Sequence, residues 1–206
     1  GLGDVYKRQT LDVVMQNEKV DAPTRPFLVA SGLQVPGAPD GRRNATQPWG
    51  WWKSDSQSAL LRVEYDISDR LTVFADAGGS DTYVTRLSDQ TPTIVNAAGD
   101  TLVTPNNSKF QIDRSTYNAG LRAKLDTGPV RHAISFMGSL YSDRNLQASV
   151  LGTPLSSNIY HPVTRPEQFI PAPANLPKVS SSDLTGFALA DTCLLYTSDA
   201  ADDSLR

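Results

Sequence analysis

One short run, "RRNATQPWGWW", gathers Arg42, Arg43, Gln47, Trp49, Trp51 and Trp52 within a few residues of one another. Guanidinium and indole groups hydrogen-bond and stack, which suits contact with a ligand or an interface, but they do not by themselves break bonds. Groups that could do so are scarce. The chain has two histidines and one cysteine, and neither His132 nor His161 has a second histidine or an acidic cluster at metal-ligand spacing. It has no Gly-x-Ser-x-Gly elbow, no phosphate-binding glycine loop and no His-Glu-x-x-His. We therefore assign no catalytic residue and no metal ligand, and expect a protein that is not an enzyme.

What positions such groups must be read from periodicity. Apolar and polar residues alternate in "TLDVVMQN", "SALLRVEYD", "LTVFADAGG" and "STYNAGLRAKLD", the signature of strands with one apolar face. The alternation places Leu61, Val63 and Tyr65 on one face, then Leu71, Val73, Ala75 and Ala77, then Tyr117, Ala119, Leu121, Ala123 and Leu125. A fifth segment from His132 is apolar on both sides, with Ile134, Phe136 and Leu140 assigned to the apolar face. Each segment is about ten residues, the length of a tilted strand that crosses a bilayer. Alternation alone fits a soluble sandwich equally well, since both bury one face of each strand.

Connection lengths separate the two. The breaks at "ISDR" and "TGPVR" are tight, whereas 18–53, 81–113 and the stretch after Asn145 are long. Structureless loops of that size are uncommon in compact soluble domains. Outer-membrane barrels, by contrast, have short turns at one rim and long loops at the other. The polar strand faces do not discriminate, because charges there tolerate bulk water or a wet lumen.

A net charge of −3 and a pI near 5.3 argue against nucleic acid as a partner. No run is long and apolar enough for a membrane helix, and the start lacks a signal-peptide layout. Both ends break the pattern beside them: "GLGDVYKRQ" (residues 1–9) and "CLLYTSDAADDSLR" (residues 193–206) resemble translated sequencing-adapter read-through. We set them aside, Cys193 included, and take residues 10–192 as the native segment.

Within that segment, "RRNATQPWGWWKSDSQSALLRVEYDISDRLTVFADAGGS", "LSDQTPTIVNAAGDT" and "YNAGLRAKLDTGPVRHAISF" are similar to the β-barrel of TonB-dependent siderophore receptors. The resemblance covers nearly all of 10–163 and weakens through the Pro-rich stretch beyond. It implies the Gram-negative outer membrane, with strand faces on lipid, a ferric siderophore as transported ligand, no directly bound cofactor, and energy from the TonB complex through a plug domain. Five or six strands cannot close such a barrel and no plug segment is recognisable, so the fold expected is all-β: an antiparallel transmembrane β-barrel fragment with short periplasmic turns and long extracellular loops. The resemblance makes Arg42, Arg43, Trp49, Tyr83 and Arg86 the candidate ligand contacts, and Trp51, Trp52 and Tyr65 the aromatic girdle at the membrane interface, with Trp49 open between the two roles. His132 falls at the periplasmic rim as a structural residue. A soluble all-β binding module and a general porin are the competing readings.

Overall fold

A computed structural model describes residues 7–195. The remainder of the two ends read as foreign, residues 1–6 and 196–206, lies outside the described residues. The described residues form ten strands and no helix: β1 (Lys7–Asp21), β2 (Leu28–Val29), β3 (Trp51–Ser68), β4 (Leu71–Asp89), β5 (Thr93–Ile94), β6 (Asp100–Val103), β7 (Pro105–Thr127), β8 (Val130–Leu151), β9 (Leu155–Asn158) and β10 (Lys178–Leu195). Lys7–Gln9 pair in register with Val63–Tyr65, and Cys193–Leu195 with Val130–His132, so β1 and β10 continue into both of the segments set aside above.

Six long strands make one antiparallel meander in the order β1-β3-β4-β7-β8-β10, an open sheet that does not close on itself. The four short strands make a second sheet, β2-β5-β6-β9. Every member of the second sheet lies in a connection between long strands, and all of those connections leave from the same end of the meander.

The opposite end carries the tight turns. Asp69 and Arg70 join β3 to β4 next to a register shift at Ile67. Such a bulge adds local twist, and Ser68 supports the turn by accepting a hydrogen bond from the Arg70 N–H at 3.3 Å. Gly128 and Pro129 join β7 to β8, and Gly128 has a φ of 60°. A left-handed first position followed by proline is the pattern of a type II′ hairpin, whose twist matches that of the flanking strands.

The faces agree with the alternation. Leu11, Leu61, Ala77, Tyr117 and Leu140 form one cross-strand row; Lys7, Tyr65, Val73, Leu121, Phe136 and Leu189 form another. Many of these side chains are exposed, Leu61 at 46%, Tyr117 at 55% and Leu189 at 74% among them. Packing between the rows is limited to neighbours such as Phe136 and Phe187, whose rings stack at 6.4 Å.

The strands are longer than the ten residues expected, at 15 to 23 residues for the six of the meander. Much of 81–113, read as a loop, is the upper half of β4 and β7. Beyond the row Val13, Ala59, Gly79, Ser115, Ser142, both faces turn polar. The ladder of backbone hydrogen bonds continues there, but the period-2 hydrophobic signal does not.

Buried apolar side chains concentrate at the long-loop end: Leu87, Ile94, Val103, Ile159 and Ile170 are each under a tenth exposed. On the polar face Phe74 is buried at 8% exposure, its ring lying over Gly120, where an added Cβ would come within 2.6 Å of Phe74 Cζ.

Candidate ligand-facing wall

Backbone register brings Trp52, Arg86, Ser108 and Ser149 into one row on the polar face, near the long-loop end of β3, β4, β7 and β8. Arg86 is half-buried, with its guanidinium 5.3 Å from the centroid of the Phe110 ring. Its Nε is buried and has no hydrogen-bond partner among the described residues. Burial, reinforced by the charge of Arg25, pushes its pKa down to about 10, which leaves it cationic at neutral pH. Arg25 reaches over from the first long connection, donating to the Asp89 carbonyl at 3.2 Å and to Ser88 Oγ at 3.3 Å. Among the described residues neither arginine forms an ion pair. Asp89, three residues from Arg86 in an extended strand, falls on the other face of β4. Burial holds its carboxyl above the usual range, opposed by the hydrogen bond from the Gln47 N–H at 3.3 Å and by the nearby charge of Arg25.

The sequence candidates are placed as follows. Arg42 and Arg43 are exposed in the connection between β1 and β3, and Arg43 Nη1 donates to the Tyr160 carbonyl at 3.1 Å. Trp49 Nε1 donates to the Arg165 carbonyl at 3.0 Å. These two side chains therefore clasp the first long connection to the third, an arrangement completed by Tyr160 Oη donating to the Gly37 carbonyl at 2.7 Å. Tyr83 lies on the opposite face of β4 from Arg86, in a shallow depression with Met15, Asp55, Gln57 and Asp81. Of the five candidate ligand contacts, Arg86 is thus the one on the polar strand wall.

Trp51 and Trp52 cannot both join an outward girdle, because consecutive strand residues point to opposite faces. Trp51 shares the face of Leu61 but stands beyond Lys53, Asp55 and Gln57, with Lys53 Nζ 5.2 Å from its ring centroid. Trp52 shares the face of Arg86 and is its cross-strand partner. Tyr65 is on the apolar face near the tight turns, with Lys7 Nζ 5.8 Å from its ring centroid.

Sequence reasoning did not find Arg25 or Phe110. Phe110 was hidden by the polar upper part of β7, and Arg25 by the lack of any pattern in its connection. Nor did it find the charge group lower on the polar face: Glu64 accepts from Arg62 and Arg122, both at 2.9 Å, and lies 3.9 Å from Arg8. At the tight-turn end, His132 Nδ1 is 2.8 Å from Asp191 Oδ2 and 3.3 Å from Cys193 Sγ. That trio would be a metal-ligand geometry only if Cys193 is native, and its other two members form a His–Asp pair that stands without it.

No family model matches the chain. In sequence it is similar to the ferrichrome receptor FcuA of Yersinia enterocolitica, 24% identical over 188 residues, which cover 90% of this chain and 25% of that receptor. In structure it is similar to BauA, the ferric preacinetobactin receptor of Acinetobacter baumannii, with a TM-score of 0.80 and 26% identity, over 94% of this chain and 30% of that one. The siderophore receptor PiuA of the same species shares the fold, with a TM-score of 0.71 at 13% identity. The chain thus spans a quarter to a third of the length of these three proteins, which are receptors and not enzymes, and its open meander has the fold of a wall section of their barrels.

Proposed function

We propose that residues 10–192 are a wall section of an outer-membrane receptor that binds ferric siderophores and imports them in a TonB-dependent manner, through a plug domain supplied by the rest of the parent protein. The observation that carries this reading is the match to BauA across nearly the whole described sheet. Two physical features support it.

The first is the apolar band. From Ala59 to Ile67 the outward rows span, at about 3.4 Å per residue and a tilt near 40°, roughly 20 Å, close to the height of the apolar belt on outer-membrane barrels. In this reading Leu61, Val63, Leu121 and Phe136 face lipid, Tyr65 belongs to the girdle on the periplasmic side, and the turns at Asp69 and Gly128 are periplasmic. The exposure of so many large apolar side chains is then a contact with hydrocarbon.

The second is the asymmetry of the connections. The three long ones, the first of which carries Arg42, Arg43 and Trp49, lie outside the cell, where a chelate arrives. Trp52 and Arg86 line the vestibule beneath them. The siderophore supplies all the ligands to iron, so the protein needs only to recognise the outside of the chelate.

The test uses the full-length parent receptor in a Gram-negative host stripped of its own ferric-siderophore receptors. Membrane fractionation and uptake of 55Fe from a panel of ferric chelates are measured with and without an intact TonB system. Outer-membrane residence and TonB-dependent uptake of one chelate are expected. A soluble protein, or passage of unrelated small solutes with no chelate preference, overturns the reading.

A further inference from the structure

Resting on the function proposed above, we propose that Arg86, backed by Arg25, is an anion-binding element of the ligand wall and that the chelate this receptor selects is net anionic, with oxyanions on its surface. Four observations around Arg86 carry it. Arg86 is half-buried on the polar face and has no carboxylate partner among the described residues. The charge that bears on it is a second cation, Arg25, rather than an acid. Its Nε is withdrawn from solvent and makes no hydrogen bond among the described residues. Its flat side chain is held against Phe110, opposite Trp52 on the neighbouring strand.

Arg86 differs in this from the arginines lower on the same strand face, Arg8, Arg62, Arg114 and Arg122, each of which meets an acid. The next cation along this face, Arg114, shows the contrast: its Nε donates to Asp143 Oδ2 at 2.9 Å. Glu64 likewise answers Arg62 and Arg122. Arg86 is the arginine of this strand face with no acidic partner among the described residues, at the end of the wall nearest the long loops, while Arg25 beside it bonds to the Asp89 carbonyl and Ser88 Oγ. Phe110 backs the guanidinium at 5.3 Å and limits where it can turn, and Trp52, its cross-strand partner, is a second aromatic residue on this face. Catecholate or carboxylate oxygens exposed on a ferric chelate satisfy both features, because an oxyanion accepts from a guanidinium more strongly than a neutral hydroxamate carbonyl does.

The experiment displays the full-length receptor on cells lacking other siderophore receptors and measures equilibrium binding of two 55Fe probes at 0 °C: a trianionic ferric tris-catecholate and a neutral ferric trihydroxamate. The wild type is expected to bind the tris-catecholate and to favour it over the neutral probe by at least about tenfold. Arg86→Gln is expected to weaken tris-catecholate binding by about 10- to 100-fold, the range for loss of a charge-assisted hydrogen bond. Arg86→Lys retains the charge and loses less. Preference of the wild type for the neutral probe overturns the inference. So does an Arg86→Gln receptor that is present at normal surface level and binds the tris-catecholate unchanged. Should Arg86→Gln fail to reach the surface, the wild-type preference between the two probes decides alone. A displayed wild-type receptor that binds neither of these probes nor any other ferric chelate overturns the function proposed above, and this inference with it; one that binds only an uncharged or cationic chelate overturns this inference alone.

Discussion

The guanidinium of Arg122 stands 4.8 Å over the ring of Phe74 while its Nη2 donates to Glu64 at 2.9 Å. One side chain thus ties β7 to both β4 and β3, by stacking on one and by charge on the other. Glu64 is the hub, since Arg62 and Arg8 converge on it as well.

Replacing Glu64 with Gln removes the charge that three arginines share. The arginines are each about half exposed or more, which limits each pair to about 1 kcal/mol or less. Thermal unfolding of the full-length receptor in detergent should show a Tm lower by a few degrees, an effect that shrinks at high salt. A salt-independent loss would point to packing instead of charge.

Gly120→Ala should cost far more than its size suggests. The new Cβ would collide with the Phe136 carbonyl oxygen and with the Phe74 ring at 2.6 Å. Backbone on one side leaves little room to yield, so a loss of about 1–3 kcal/mol is expected. Gly128→Ala has open space around it but a φ of 60°, and should cost nearer 1 kcal/mol through backbone strain alone.

Val63→Arg puts a charge in the middle of the apolar band, where about 2–4 kcal/mol is expected to be lost. Gln57→Arg, on the same face but above the band, should be nearly silent. Surface abundance of the two variants, read by immunoblot of outer-membrane fractions, checks the placement of the lipid belt. Equal abundance would remove the support for it.

Topology can be read by impermeant thiol labelling of intact cells expressing the parent receptor. A cysteine at Ala97, exposed between β5 and β6, should react. One at Asp69, in the tight turn, should react only after the outer membrane is permeabilised. The reverse pattern would invert the sheet.

Asp100 ties the small sheet together at low cost in burial, accepting hydrogen bonds from Asn96 Nδ2 at 2.7 Å and Asn158 Nδ2 at 2.9 Å. These bonds hold its carboxyl below the ordinary value. A depressed carboxylate stabilises the fold above its unfolded pKa and loses that contribution as pH falls through the folded one. Amide exchange at Ile159, whose N–H donates to the Gly99 carbonyl at 2.9 Å, should therefore speed up relative to the rest of the sheet as the medium is acidified below the usual carboxylate range. In Asp100→Asn the acid-specific change should vanish.

How far the sequence could carry the reading follows from where the physics leaves a mark. Across the apolar band, lipid or core demands alternation, so Leu61, Val73, Leu121 and Phe136 could be assigned to one face from spacing alone. Above it, Lys53 read as loop and Asp55 and Ser56 gave no strand signal because both faces of β3 are wet, and their strand identity comes from pairing partners far away in the chain. The ligand wall suffered most from this. Arg86 was visible as a cation near a loop, but its row with Trp52 and Ser108 depends on register, and its lack of an acidic partner depends on which face Asp89 takes. The split of Trp51 from Trp52 needed only the strand to start at Trp51, two or more turns of the pleat earlier than hydrophobicity announced.

The small sheet β2-β5-β6-β9 draws residues 28–29, 93–103 and 155–158 into one surface. If the long connections face the medium as proposed above, that surface is a discontinuous epitope. An antibody raised against the folded protein would read three loops at once, and a linear peptide copied from any one of them would be a poor immunogen for it. A phage or toxin that docks there could be escaped by a substitution in a loop it never touches.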